Sequence, residues 1–178
     1  MPGPIDVTLR PRTEADLDAL YAIAADLSTW DERTPSMPAP LTRAAYEARL
    51  QQLDGGPDKG VSFVVEVDGE AVGSVSLFSF DDLARHAEVG IALLPEARGR
   101  GIGTAAIERI VEFAFVRCNL RRVHLQAIAS NLAAIRAYEK AGFIVEGRQR
   151  EHAWVRGRYE DIVVMGLLRS EWRARSAG

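Results

Sequence analysis

Cysteine is nearly absent from this chain: among 178 residues, Cys118 is the only one. A single thiol cannot close an internal disulfide, so the reducing cytoplasm is the expected compartment. Cys118 lies late in an apolar helical pattern and reads as a small packed hydrophobe rather than a nucleophile. Long apolar runs are missing too. No stretch nears the ~20 residues of a membrane-spanning helix, and the opening "MPGPIDVTLRPR" lacks the apolar core of a signal peptide, so a soluble protein with no membrane partner is expected. Charge of one sign is also lacking. Lys+Arg number 22 against 25 Asp+Glu, for a formal net charge of -3. No global basic field is available to hold nucleic acid, and any anion site must be local. Nowhere does Gly-Lys precede Ser or Thr, which excludes a Walker A loop.

What is present is ordinary for one soluble domain: 47 % hydrophobic and 26 % charged residues, over a length able to bury a substantial core. A single domain over 1–178 is expected. "IDVTLRP" alternates and ends at a proline, so it reads as a strand. Thr13 then caps a helix, with Leu17, Leu20, Ile23, Ala24 and Leu27 at helical spacing. Residues 28–40 hold three prolines and read as a loop. Thr42 caps a second helix, "RAAYEARLQQL", that ends before Gly55-Gly56-Pro57. Two strands follow around Asp68-Gly69, a strong hairpin signal. "HAEVGIALL" is a strand, "GTAAIERIVEFAF" a helix and "RRVHLQAIA" a strand. "LAAIRAYEKA" is a helix that Gly142 closes, and two further strands flank Gly157. The order β-α-α-β-β-β-α-β-α-β-β predicts an α+β fold with a central, mostly antiparallel sheet of about seven strands and about four helices.

The most informative stretch is "GIALLPEARGRGIGTAAIERIVEFAF" (90–115). Glycines between a strand and a helix let backbone N–H groups converge on an anion, and the helix N-terminus adds the positive end of its dipole. Arg98 and Arg100 add full charges, so a diphosphate is the natural guest. A tight turn with two solvated arginines is the competing reading. A dinucleotide G-x-G-x-x-G starting at Gly99 fails at Thr104, and "NLRRVH" (119–124) offers no acid about 20 positions on.

R-G-x-G-x-G after a strand resembles the acetyl-CoA motif of GNAT-superfamily N-acetyltransferases, [QR]-x-x-G-x-[GA]. "SNLAAIRAYEKAGF" (130–143) is similar to that superfamily's second motif, with Asn131 and Tyr138 ahead of a Gly-Phe. "GFIVEGRQREHAWVRGRYEDIVVMGLL" resembles the C-terminal strands of the RimJ/RimL-type branch, including Gly157, Tyr159 and Asp161. "TLRPRTEADLDAL" looks like a GNAT start, so the likeness covers most of the chain in order.

The resemblance implies a twisted sheet in which two neighbouring strands splay to form the CoA cleft. It implies acetyl-CoA as co-substrate and no metal. The backbone of Arg98, Gly99, Arg100, Gly101, Ile102 and Gly103, with Thr104, would hold the diphosphate. Ile91, Ala92 and Leu93 would pair with the pantetheine, an amide near Leu93 facing the thioester oxygen. Asn131 would cap its helix and reach the pantetheine. Tyr138, two turns on and so on the same face, would donate a proton to the departing thiolate. The base is open. Some relatives carry a glutamate where this chain has Gln126, which cannot act as one. Glu88, on the preceding strand, is the substitute candidate, and His86 and His124 are neutral alternatives with a structural role as the competing reading. Asp26, Asp31, Glu32, Asp81 and Asp82 fall in segments able to rim an acceptor cleft and attract a cationic amine, or are a solvated surface.

The expected function is direct acetyl transfer to a primary amine in a ternary complex. The acceptor is left open between a protein N-terminus, a polyamine and an amine-bearing antibiotic or metabolite. A non-catalytic acyl-CoA sensor of the same fold is the alternative, and assembly as a homodimer is left open.

Overall fold

The computed structural model describes residues 5–32, 41–53 and 60–176. Strand β1 (Thr8–Arg10) leads into a single 3-10 turn, Glu14–Asp16, and helix α1 (Leu17–Ala25). The Asp16 carboxylate accepts from the Thr13 N–H at 2.7 Å and its hydroxyl at 2.9 Å. Arg10 pairs with Asp16 and with Glu66, tying this entry to the sheet. Those bonds hold Asp16 well below the ordinary carboxylate range, chiefly through the Arg10 hydrogen bond.

Two expectations need correction here. The first helix stops at Ala25, because Asp26 leaves helical geometry (φ -77°, ψ 112°). Asp26 then starts a new turn: its carboxylate accepts from the Ser28 N–H at 2.9 Å, and α2 (Leu27–Trp30) replaces the expected start of a loop. A capping side chain overrides the local pattern. The prolines of 35–40 and the Gly55-Gly56-Pro57 terminator lie outside the described residues. Helix α3 (Arg43–Leu53) forms as expected.

Strands β2 (Val61–Val67) and β3 (Glu70–Asp81) form the hairpin, with positive φ at Asp68 (53°) and Gly69 (83°) as a two-residue turn requires. Then come β4 (His86–Leu93), α4 (Ile102–Glu112), β5 (Arg122–Ile128), α5 (Leu132–Ala141), β6 (Ile144–Val155) and β7 (Arg158–Leu168). A C-terminal helix, α6 (Arg169–Ser176), was not expected from the pattern. It is polar, and its Trp172 packs at 5.5 Å on Phe115. The described helices thus exceed the expected four.

One sheet of seven strands runs β1-β2-β3-β4-β5-β7-β6. Its pairs are antiparallel except β4–β5. That parallel pair exists only at His86↔Arg122, Ala87↔Val123 and Glu88↔His124. Beyond Glu88 and His124 the two strands continue without pairing to each other, so the sheet opens into a wedge. Residues 89–93 of β4 keep backbone donors and acceptors facing that wedge, groups that require partners.

Strand alternation decides what lines each face. Ala87, Val89, Ile91 and Leu93 of β4 turn with Val123, Leu125 and Ala127 of β5 toward the main core. Ile102, Ile107 and Ile110 of α4, all 0 % exposed, fill that side. The opposite face carries Glu88, Gly90 and Ala92; a Cβ on Gly90 would come within 2.9 Å of the Phe78 ring, which would have to shift. Helix α4 ends in a π-helical turn, Phe113–Arg117, and Cys118 follows half-buried, its thiol pushed up by burial. That is the state of a packed, unreactive cysteine.

Candidate active site

The polypeptide leaves β4 through a 3-10 turn at Pro95–Ala97, then makes the glycine-rich bend. Gly99 and Gly101 sit at φ 71° and 86°, left-handed geometry that glycine adopts without strain. Gly101 is the N-cap of α4 and supplies no side chain to cap it. The first turn-closing bond is Ala105 N–H to Gly101 C=O at 3.1 Å. The amides of Ile102, Gly103 and Thr104 are therefore free of the helix's own carbonyls. A Cβ built on Gly99 or Gly101 would meet no protein atom within 4 Å. Free amides, the helix dipole and this open space together form a cradle able to take an anion.

The cradle opens into a cavity of about 380 Å³. Ile91, Ala92 and Leu93 form its strand wall, and Arg98, Gly99, Gly101, Gly103 and Thr104 its turn. Asn131 and Tyr138 face it from α5. Of the expected cofactor residues, the structure keeps Arg100 and Ile102 off the cavity wall. Arg100 is exposed, and Ile102 is wholly buried in the core. Only the Ile102 backbone can serve a ligand.

Asn131 is a true N-cap: its Oδ1 accepts from the Ala134 N–H at 3.1 Å. The side-chain NH2 stays available to the cavity. Tyr138 is 8 % exposed and packs at 6.2 Å against Phe143. Among the described residues its hydroxyl has no protein partner, and burial pushes its pKa up to about 12. The phenol is therefore a proton donor throughout the neutral range.

Glu88 is placed differently. It is the last β4 residue paired with β5, opposite His124, and it does not line the cavity. It stands half-buried at the vertex of the wedge on the face away from α4, and burial raises its carboxyl pKa. Gln126 pairs with Val164, also off the cavity wall. His86 and His124 pack edge to face at 5.2 Å, and burial lowers the His124 pKa.

Sequence reasoning missed several wall residues. Arg136 and Lys140 of α5 line the cavity. Their i, i+4 spacing, beside the alanines at 133, 134 and 137, was a readable basic stripe over small residues. Thr29 and Glu32, from the end of α2, also reach the wall. Glu32 is one of the acids read from the sequence as either rimming an acceptor cleft or lying on a solvated surface. Arg98 is engaged with it: Nη1 donates to Glu32 Oε2 at 3.0 Å and Nε to the Leu93 C=O at 3.2 Å. The neighbouring Asp31 accepts from Arg156 at 2.8 Å, which fixes α2 to the β6–β7 turn. Asp26 is occupied as the α2 cap. Trp154 is 61 % exposed against Tyr159 and does not wall this cavity.

A seven-stranded wedge with a glycine cradle at its open end defines a class of protein, and family comparison names it. The acetyltransferase (GNAT) domain family matches residues 6–144. The chain belongs to that family. It is 30 % identical over 183 residues to the spermidine N(1)-acetyltransferase of Escherichia coli K12, covering 98 % of this chain and 92 % of that protein. YdaF of Bacillus subtilis is 34 % identical over 113 residues, 64 % of this chain, and the match spans 62 % of that protein. Among solved structures, the spermidine N-acetyltransferase of Vibrio cholerae in complex with CoA and spermine superposes with a TM-score of 0.86. It is 26 % identical, over 94 % of this chain and 98 % of that one.

Proposed function

We propose that this protein transfers the acetyl group of acetyl-CoA to a primary amine of a polyamine, by direct attack within a ternary complex. The observation that carries the reading is one continuous cavity joining the free amides of the α4 N-terminus to the Tyr138 phenol. The similarity to spermidine acetyltransferases supports the polyamine class. The C-terminal hairpin supports the RimJ/RimL-type affinity, and a single cytoplasmic domain belongs to the same reading.

Acetyl-CoA supplies the acetyl group as an activated thioester. The turn from Arg98 to Thr104 would hold its diphosphate through backbone amides, with Arg136 and Lys140 adding charge. Ile91, Ala92 and Leu93 would offer to the pantetheine the backbone groups they turn toward the wedge, together with the Asn131 amide. A β4 amide would donate to the carbonyl oxygen as negative charge develops there. Tyr138 holds the proton that the leaving sulfur needs. Glu88, directly or through water, would take the proton that the attacking ammonium must lose.

Thiol release from acetyl-CoA across a panel of polyamines, peptides with free N-termini and amino-sugar antibiotics tests this. Turnover is expected with the polyamines. CoA binding without thiol release from any amine would favour the sensor.

Glu88 gives a second test. Burial raises its pKa, so the acid limb of the pH–rate profile should move upward, since the base works only when ionised. Glu88→Gln should retain fold and CoA affinity and lose roughly 10²-fold or more in rate near neutral pH. The deficit should shrink as pH rises and more acceptor amine arrives neutral. Superimposable pH–rate profiles for the two enzymes would remove Glu88 from the mechanism.

A further inference from the structure

Glu32 has no part in the chemistry above, yet it lines the cavity and holds Arg98, the arginine next to the cradle. The Arg98 guanidinium lies between two claimants. On one side are Glu32 at 3.0 Å, the Leu93 C=O at 3.2 Å and the Thr29 hydroxyl at 3.5 Å. On the other is the cradle of Gly99 and Gly101, open in front and aimed at an anion. The remaining acids of this segment make their hydrogen bonds elsewhere, Asp26 in the α2 cap and Asp31 with Arg156, although Asp26 also feels the Arg98 charge. Glu32 is thus the acid of this segment on the cavity wall, and its partner Arg98 lines the same wall beside Gly99 and Gly101.

We propose that Arg98 exchanges between Glu32 and the diphosphate of acetyl-CoA, and that the carboxylate released in this way receives an ammonium of the acceptor. The inference rests on the acetyltransferase reading for the identity of both ligands. Charge decides the direction. A guanidinium offered a carboxylate or a more highly charged diphosphate, itself braced by backbone amides, moves to the diphosphate. The pair it leaves is easily broken, with side chains 32 % and 40 % exposed. Among the described residues Glu32 is then left with only the charge of Arg156, which is hydrogen-bonded to Asp31, and an alkylammonium completes its neutralisation. Before the cofactor binds, Arg98 blocks that carboxylate. The cofactor therefore creates the amine site, and binding is ordered with acetyl-CoA first. By linkage, the amine tightens CoA by the same factor.

Calorimetric titration with CoA, pantetheine and spermidine tests this without turnover. Glu32→Gln removes the charge that competes for Arg98, so CoA should bind roughly 3–10-fold tighter than to wild type. Pantetheine, which has no diphosphate, should bind both proteins alike. Arg98→Gln should weaken CoA about tenfold. In wild type, saturating CoA should tighten spermidine about tenfold, and Glu32→Gln should lose that gain. Tighter CoA binding in Glu32→Gln also shows that the variant is folded. An unchanged CoA affinity in Glu32→Gln, or an equal gain for pantetheine, overturns the exchange. Spermidine binding indifferent to CoA in wild type overturns the amine half. A protein with the full expected binding pattern but no thiol release from any amine would refute the acetyltransferase reading and leave the exchange standing.

Discussion

Replacing Tyr138 with phenylalanine lowers kcat by about 10²–10⁴-fold while CoA affinity stays nearly unchanged. The expectation follows from where the phenol sits. It is buried, faces the cavity and makes no hydrogen bond to protein among the described residues. Removing the oxygen therefore leaves no buried group unpaired, and the ring's packing on Phe143 survives. Stability should change little, which separates chemistry from folding. The raised pKa, about 12, sets the pH behaviour. The acid form persists well above neutrality, so no basic limb from this group appears in the kcat profile below about pH 10. The same dry surroundings raise the basicity of the departing thiolate, which lets so weak an acid serve it. Steady-state rates and CoA titrations of Tyr138→Phe check the split. A variant that retains most of its turnover would make Tyr138 a packing residue.

Gly101→Val should abolish the thermal protection that CoA gives the wild-type protein. A ligand at 100 times its Kd that binds only the native state adds about 2.7 kcal/mol. Gly101 lies at φ 86° with open space where a Cβ would go. Valine there carries two penalties that can be measured apart. Left-handed backbone geometry costs a β-branched residue roughly 1–3 kcal/mol and lowers the melting temperature without ligand. The added methyls then occupy the space the diphosphate needs, and the ligand-induced rise disappears. Melting curves with and without CoA separate the two. Undiminished CoA protection in the variant would remove this turn from the cofactor site.

Much of the local architecture was legible in the chain because its causes are local. The Asp68-Gly69 pair forces a hairpin, and Gly142 ends α5 at φ 102° because only a left-handed residue continues the chain there. Asn131 accepts a bond from the amide three residues on, a contact that depends on nothing distant. The glycine turn could be read as an anion cradle because its amides and the helix it opens are consecutive in sequence. Local patterns failed where a side chain chose between two local structures, as Asp26 did in breaking the first helix to begin α2.

The composition of the site was settled elsewhere. Arg98 reaches Glu32 from 66 residues away, and Arg156 reaches Asp31 from 125. No periodicity records such pairs, since each partner looks like a solvated charge in its own segment. Glu88 shows the same limit. Alternation set its face of β4, but only the loss of pairing beyond His124 put it at the vertex of the wedge and off the cavity wall. By itself the sequence determined all seven strands and most of the helices, the family they compose and the backbone turn that can hold an anion, but not α2 or α6. The tertiary structure alone decided which charges are free to meet a ligand, because ion pairing depends on distances that folding sets between segments far apart in the chain.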